Sequence, residues 1–162
     1  MPHIHTVPGQ VDHTVEVYIV YKDKVLLRKH DKYKIWLSIG GHIELDEDPN
    51  QAAIREVKEE VGLDVELFGG DDIIDFHEKD YRELIPPIYV NRGRIDPTHE
   101  HVTYSYFAST SNNKVIPENI DDEWHWFTMA ELEENKVGIK ASIRHGAINS
   151  LKALGVGVIE FR

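Results

Sequence analysis

The chain has 162 residues and a formal net charge of −11 at pH 7, with 41% hydrophobic and 29% charged residues. This length and composition suit one globular domain with a sizeable core and argue against a disordered chain. The acidic surface disfavours a long footprint on DNA or RNA, but it does not exclude a small phosphorylated ligand bridged by cations. Cysteine is absent, which excludes disulfides, thiolate nucleophiles and cysteine-type zinc sites.

The N-terminal residues and the apolar runs predict neither a signal peptide nor a membrane span. The first ten residues, "MPHIHTVPGQ", lack the apolar core and the basic flank of a signal peptide. No stretch approaches the roughly 20 apolar residues of a membrane span. We therefore expect a cytoplasmic protein with no membrane partner. Because no repeat or low-complexity linker divides the chain, we also expect a single domain over residues 1–162.

The N-terminal third predicts a β-hairpin followed by a short apolar segment. Apolar residues alternate with polar ones from residue 13, "KDK" supplies a turn, and a return strand runs towards residue 30. The apolar run at 34–39 ends in a pair of glycines.

The next element is a helix with clear signals at both ends. Asp48 suits the N-cap, Pro49 suits the first helical position, and Gln51 completes an approximate capping box. Gly62 suits the residue just beyond the C-terminal end. The sequence therefore predicts a helix over 49–61, roughly 20 Å long.

Strands and helices alternate through the rest of the chain. The predicted elements are a strand at 63–69, a strand end with a long loop at 70–87, strands at 101–110 and 124–129, and helices at 129–135 and 139–154. This order predicts an α/β fold with a mixed β-sheet between helices.

Three glutamates, Glu56, Glu59 and Glu60, lie on the shoulder of the apolar stripe of the predicted helix 49–61. Like charges three and four residues apart repel each other, and the helix dipole disfavours anions in the last turn. Arg55 offsets only part of this repulsion. A solvated helix face is one interpretation, since glutamate is a good helix former. The other is a site for Mg²⁺ or Mn²⁺, which take oxygen ligands and would remove the conflict.

The wider stretch "GGHIELDEDPNQAAIREVKEEVGL", residues 40–63, resembles the Nudix box of the MutT/Nudix hydrolases. That pattern is glycine, any five residues, glutamate, any seven, Arg-Glu, an aliphatic residue, any one, Glu-Glu, any one, glycine and an aliphatic residue. The matching positions are Gly41, Glu47, Arg55, Glu56, Val57, Glu59, Glu60, Gly62 and Leu63. A match at every specified position favours metal-binding catalysis over a solvated face.

The resemblance implies an α/β/α sandwich with a mixed sheet, and hydrolysis of a nucleoside diphosphate linked to another group with Mg²⁺ or Mn²⁺. By motif position, the implied metal ligands are the Gly40 carbonyl, Glu56, Glu59 and Glu60. Glu59 also belongs to the implied catalytic set. Arg55 would hold the carboxylates by ion pairing, and Glu47 would help position them or a metal-bound water.

A general base is also needed, and in similar proteins it comes from the box or from a later loop. The acidic loop "PENIDDEW", residues 117–124, offers four carboxylates: Glu118, Asp121, Asp122 and Glu123. Glu123 is the first candidate, because it directly precedes the strand predicted at 124–129. An ordinary solvated loop is the alternative.

Four residues outside the box are candidates for substrate binding. Trp36 is either a core residue or a wall of the base pocket. Tyr81 lies near where dinucleoside polyphosphate hydrolases often carry a tyrosine. His99 and His101 flank Glu100, and they could be a zinc pair, pocket residues or ordinary strand residues. The zinc pair lacks other obvious ligands in the sequence.

The predicted substrate is a nucleoside triphosphate, including oxidised ones, as for MutT-like enzymes. The alternatives are a dinucleoside polyphosphate, ADP-ribose or another nucleotide sugar, and a catalytically silent regulator that binds nucleotides. Hydrolysis at an RNA 5′ end is disfavoured by the net charge of −11. Similar proteins are often dimers, so a homodimer stays open.

Overall fold

The computed structural model describes residues 9–70 and 76–157. The elements are, in chain order, β1 (Val11–Tyr21), β2 (Lys24–Lys29), β3 (Trp36–Leu37), β4 (Ile39–His42), α1 (Pro49–Val61), β5 (Glu66–Leu67), β6 (His77–Glu78), β7 (Tyr81–Arg82), β8 (Tyr89–Asp96), β9 (His99–Ser109), β10 (Glu123–Thr128), α2 (Met129–Glu134) and α3 (Ala141–Leu154). Within the described ranges, no helix is long and apolar enough to cross a membrane.

A mixed sheet forms the centre of the fold. Its main path is β10-β2-β1-β9-β5, with β3, β4 and β8 paired to β2, β1 and β9. The β1–β9 pair is parallel and the other pairs are antiparallel. Because β1 is central and covered on both faces, its segment from Val17 to Val20 is buried throughout.

Helices cover both faces of this sheet. On one face, α1 packs Ala53, Val57 and Val61 against a cluster that includes Val17 and Ile19 of β1. On the other, the core residues are Tyr18 and Val20 of β1, Leu132 of α2, and Ile143, Ala147 and Leu151 of α3. This arrangement confirms the predicted α/β/α sandwich with a mixed sheet.

Helix α1 begins and ends where its sequence signals predict. The Asp48 carboxylate accepts a hydrogen bond from the Gln51 backbone N–H at 2.9 Å, and the Gln51 side chain accepts one from the Asp48 N–H at 3.0 Å. Gly62 ends the helix with φ +69°, a left-handed conformation that glycine adopts at low cost. The box glutamates are thus fixed in rotation relative to the sheet.

Three predictions differ from the structure. The strand predicted at 63–69 is reduced to Glu66–Leu67, because β5 pairs only with the end of β9. The loop predicted at 70–87 contains the hairpin β6–β7, and its segment 71–75 lies outside the described residues. Most of strand β8 was not predicted, because its residues are exposed and do not alternate between apolar and polar.

Candidate active site

Arg55 binds three carboxylates of the box at once. Its Nε and Nη2 donate to Glu47 at 2.9 and 2.6 Å, and its Nη1 donates to Glu56 at 3.0 Å and Glu59 at 3.1 Å. Nη2 also donates to the backbone carbonyl of His42 at 2.9 Å. The hydrogen bonds from Arg55 hold the pKa of Glu47 below its usual value. The sequence-based positioning role of Arg55 therefore has a direct geometric basis.

Two of the box glutamates are buried. Glu56 is 1% exposed and Glu60 is 6% exposed, whereas the Glu59 side chain is 53% exposed. Burial raises the pKa of Glu56, and it raises that of Glu60 to about 8. Burial outweighs the opposing effect of Arg55 on Glu56 and of Arg28 on Glu60, so both carboxylates are costly in the charged form without a bound metal ion.

Glu60 also carries an oxygen suited to a cation. Arg28 Nη1 lies 3.6 Å from Glu60 Oε2, and this buried oxygen has no hydrogen-bond partner within the described residues. A carboxylate oxygen in this setting is the type of ligand that Mg²⁺ and Mn²⁺ prefer. The residues present therefore fit a divalent metal ion of the kind that Nudix hydrolases generally need.

Gly40 brings the backbone of β4 close to both β1 and Glu60. A Cβ at this position would lie 2.0 Å from the Val15 carbonyl oxygen, so only glycine permits the observed pairing. Burial raises the pKa of Glu60, and the Gly40 backbone N–H acts in the opposite direction. The role of its carbonyl as a metal ligand stays a prediction.

A cavity of about 540 Å³ opens beside these groups. Its lining includes Gly40, His42 and Glu60 from the box region, together with Arg28 and Glu118. The backbone N–H of Glu118 donates to the Glu60 carbonyl at 3.0 Å. Of the acidic loop residues considered as general base, Glu118 is thus the one that reaches this cavity.

Glu16 joins this cavity to a second one of about 380 Å³, which Tyr18, Tyr89, Asn91, Ser105 and His145 help to line. Its carboxylate accepts hydrogen bonds from Ser38 Oγ at 2.9 Å and from Ser105 Oγ. Sequence reasoning did not select Glu16. The available signal was a lone acidic residue inside the apolar strand "VEVYIV".

The first candidate for general base, Glu123, lies elsewhere. It is exposed at the start of β10, and its carboxylate is 4.0 Å from Lys29 Nζ. With Trp36 it lines a separate cavity of about 490 Å³. Trp36 itself is 8% exposed and packs edge-on against Phe127 at 5.0 Å between ring centres. The structure therefore places Trp36 in the core and does not bring Glu123 to the box.

The remaining substrate-binding candidates also differ in whether they lie near the box cavity. Tyr81 is 55% exposed on the hairpin β6–β7 and donates to Glu83 at 2.7 Å. It is not among the described residues that line the box cavity. His101 does line that cavity, and His99 lies beside it on β9, with Nε2 3.0 Å from Asp12 Oδ2. The two histidines are therefore brought to the edge of the site.

Comparisons with known proteins agree on one family. The family model described as "NUDIX domain" matches residues 12–145. The dihydroneopterin triphosphate diphosphatase of Haemophilus influenzae is 32% identical over 122 residues, which span 68% of this chain and 72% of the relative. An RNA pyrophosphohydrolase of Gluconacetobacter diazotrophicus is 26% identical over 67% of this chain and 66% of its own length.

Solved structures give the same answer for the fold. A NUDIX family hydrolase from Clostridium perfringens superposes with a TM-score of 0.77 at 38% identity, covering 88% of this chain and 97% of that one. An Ap4A hydrolase of C. elegans superposes with a TM-score of 0.62 at 17% identity, covering 88% and 96% of the two chains. The similarity to the Ap4A hydrolase is evidence for the fold alone.

Proposed function

The chain belongs to the Nudix family of pyrophosphohydrolases, and from its site we propose that it hydrolyses a small triphosphate with a guanine-like base, using Mg²⁺ or Mn²⁺. The observation that carries this proposal is the position of Glu16, which joins the box cavity to the neighbouring one. The phosphates would lie at the box and the base would reach Glu16.

At the phosphate end, Glu56, Glu59 and Glu60, with the Gly40 carbonyl, would hold the divalent ions. Bound ions would neutralise phosphate charge and activate the attacking water. Arg55 keeps Glu56 and Glu59 in place through the bonds at 3.0 and 3.1 Å. Without cations, an acidic chain of net charge −11 would repel this substrate.

Glu118 replaces Glu123 as our first candidate for the general base. Its carboxylate is near enough to Glu60 to raise the pKa of that buried group further. A base close to the metal ligands is close to the water that attacks phosphorus. The exposed position of Glu123 beside Lys29 offers no such proximity.

At the base end, guanine and pterin rings both present an N–H beside an amino group. A carboxylate can accept two parallel hydrogen bonds from such an edge. The Glu16 carboxylate already accepts from two serine hydroxyls, and each of its oxygens retains a further lone pair for a ligand. The 32% identical relative is named for dihydroneopterin triphosphate, which carries a pterin ring.

A second candidate is the 5′-triphosphate end of RNA, because two relatives are named RNA pyrophosphohydrolases. The net charge of −11 favours a free nucleotide over this substrate. Dinucleoside polyphosphates, ADP-ribose and a binding-only role are further outcomes of the test. Cytoplasmic location, a single domain and a homodimer stay predictions.

The test is a substrate panel with Mg²⁺ or Mn²⁺, in which pyrophosphate and phosphate are detected separately. The panel holds GTP, 8-oxo-GTP, dihydroneopterin triphosphate, ATP, CTP, ADP-ribose, diadenosine tetraphosphate and a short 5′-triphosphate RNA. We expect pyrophosphate release to be fastest from the guanine-like triphosphates and to stop in EDTA. If phosphate appears only after phosphatase treatment, and only with ADP-ribose or diadenosine tetraphosphate, the enzyme would be a hydrolase of that substrate instead.

Two variants connect the result to the site. Glu59→Gln and Glu60→Gln are each expected to lower kcat by at least about 100-fold while circular dichroism stays unchanged. Near-normal turnover in folded Glu60→Gln would refute the role of the box. Tight nucleotide binding without turnover would support the regulator instead.

A further inference from the structure

Three histidines and one aspartate converge at the edge of the box cavity. This histidine–aspartate cluster consists of Asp12, His42, His99 and His101, and one ligand atom from each lies within 4.8 Å of the others. His99 Nε2 is 3.0 Å from Asp12 Oδ2 and 2.8 Å from His101 Nε2, while His42 Nε2 is 3.4 Å from Asp12 Oδ2. We propose that the cluster binds one Zn²⁺ ion, at a site separate from the box carboxylates.

The spacing of the four side chains suits a tetrahedral ion. With metal–ligand bonds of about 2.1 Å, the ligand atoms of a regular tetrahedron lie about 3.4 Å apart. The contact of 3.4 Å equals that value, and those of 2.8 and 3.0 Å are a few tenths of an ångström shorter. Two imidazole nitrogens 2.8 Å apart can share only one proton between them, whereas one cation accepts a lone pair from each.

Strand pairing holds the cluster in place. Asp12 and His101 are directly opposite each other in the parallel pair β1–β9. His42 on β4 is opposite Thr14, which lies two residues from Asp12 on the same face of β1. His99 precedes His101 by two residues and shares its face of β9. Ligands on three adjacent strands are positioned more rigidly than ligands on loops.

Burial and ligand type both favour zinc over magnesium. Asp12 is 0% exposed and His42 is 8% exposed, so a carboxylate and an imidazole meet away from water. A buried carboxylate is stabilised by a nearby cation. Imidazole nitrogen suits Zn²⁺, whereas carboxylate oxygens with water suit Mg²⁺ and Mn²⁺. The two neighbouring sites would therefore bind different metals.

The expected role of the ion is structural. Four protein ligands fill a tetrahedral zinc site and leave no position for a reacting water. The ion would fasten β4, β1 and β9 together along the wall of the box cavity, which His42 and His101 line. This inference is independent of the substrate proposed above, because it concerns metal binding and stability alone.

The first experiment titrates metal-stripped, full-length protein with Zn²⁺ by calorimetry. We expect about one tight site per chain and a rise of several degrees in Tm on zinc binding. His99→Gln and His101→Gln should each weaken Zn²⁺ binding by about 100-fold or more. The control is His13→Gln, since His13 is exposed and on the opposite face of β1 from Asp12.

Glu60→Gln distinguishes the zinc site from the metal site of the box. This variant should retain Zn²⁺ binding while losing Mg²⁺-dependent activity. Zinc binding that is lost in Glu60→Gln and kept in His99→Gln would place the ion at the box and overturn the proposal. Absence of tight Zn²⁺ binding in the native chain would also overturn it. If the histidine variants fail to fold, the visible absorption of Co²⁺ bound to the native chain tests the proposal. Four-coordinate cobalt absorbs far more strongly than six-coordinate cobalt, so strong absorption would support the cluster and weak absorption would overturn it.

Discussion

Arg55 Nη2 donates a hydrogen bond to the backbone carbonyl of His42 over 2.9 Å. The same guanidinium binds Glu47, Glu56 and Glu59. The end of β4 is therefore tied to the carboxylates of α1 by a single side chain. Because the His42 side chain belongs to the histidine–aspartate cluster, the two candidate metal sites are connected through one residue.

Replacing Arg55 with lysine should disrupt this arrangement while keeping the charge. Lysine offers a point charge with three donors and cannot reproduce the planar set of bonds that Arg55 makes. We expect kcat to fall by about 100-fold and the Mg²⁺ concentration for half-maximal activity to rise. Activity measured across a Mg²⁺ titration tests this. Arg92→Lys, in an exposed pair with Glu100, is the control and should match the native chain.

Glu60 should make the metal-free protein less stable as pH rises. Its pKa is raised to about 8 in the folded chain, above the usual 4.5. A raised pKa means that the stabilising contribution is complete below about pH 4.5 and is lost as pH rises towards 8. In EDTA at pH 8.5, Glu60→Gln should therefore be more stable than the native chain by roughly 2 kcal/mol, or several degrees in Tm.

The pH and metal dependence make this result specific. The Tm advantage of Glu60→Gln should shrink between pH 8.5 and pH 5, and Mg²⁺ should raise Tm in the native chain alone. Glu59→Gln is the matched control, because that side chain is 53% exposed and its replacement should leave the EDTA melting curve nearly unchanged. A uniform Tm gain at every pH would contradict the role of burial.

Glu118 and Glu123 give opposite expectations for the general base. Glu118→Gln should lower kcat by about 100-fold or more, since Glu118 lines the cavity beside Glu60. Glu123→Gln should retain most of the activity, because Glu123 lies on the outer strand β10 and its charged neighbour is Lys29. Comparable loss of kcat in both variants, or native turnover in Glu118→Gln, would exclude this assignment.

The sequence predicted the parts of the site that follow from local periodicity and motif spacing. Helix α1 and its caps agree with the signals at Asp48, Gln51 and Gly62. The stripe of glutamates lies at the edge of the buried face, as the helical wheel indicates, and Glu56 and Glu60 are buried. These features depend on residues close together in the chain, so a single sequence is enough to predict them.

The remaining features depend on pairings between distant segments. The zinc interpretation of His99 and His101 lacked partners, and the structure supplies Asp12 and His42 by placing β1 and β4 beside β9. Glu118 and Glu123 are close in sequence, yet only Glu118 faces the box cavity. Sheet register decides the first outcome, and it cannot be read from a single strand. Backbone hydrogen bonds from the loop of Glu118 to the end of α1 decide the second.

Gly40→Ala should separate β4 from β1. The added Cβ would lie 2.0 Å from the Val15 carbonyl oxygen, which is backbone and cannot rotate away. We expect a loss of about 2–3 kcal/mol in the free energy of unfolding and weaker Mg²⁺ binding, because Gly40 lines the box cavity beside Glu60 and its backbone would move. Gly93→Ala is the matched control, since a Cβ there meets nothing within 4 Å. Urea unfolding of both variants measures the difference.

Glu16→Gln should change the choice among bases. An amide offers one acceptor oxygen and a donor group, so it cannot accept both hydrogens of a guanine-like edge. We expect kcat/KM for GTP and dihydroneopterin triphosphate to fall by at least about 10-fold, with a much smaller change for CTP. An equal fall for every triphosphate would mean that Glu16 acts only through Ser38 and Ser105. In that case Tm would fall as well, because those hydrogen bonds fasten β1 to its neighbouring chain segments.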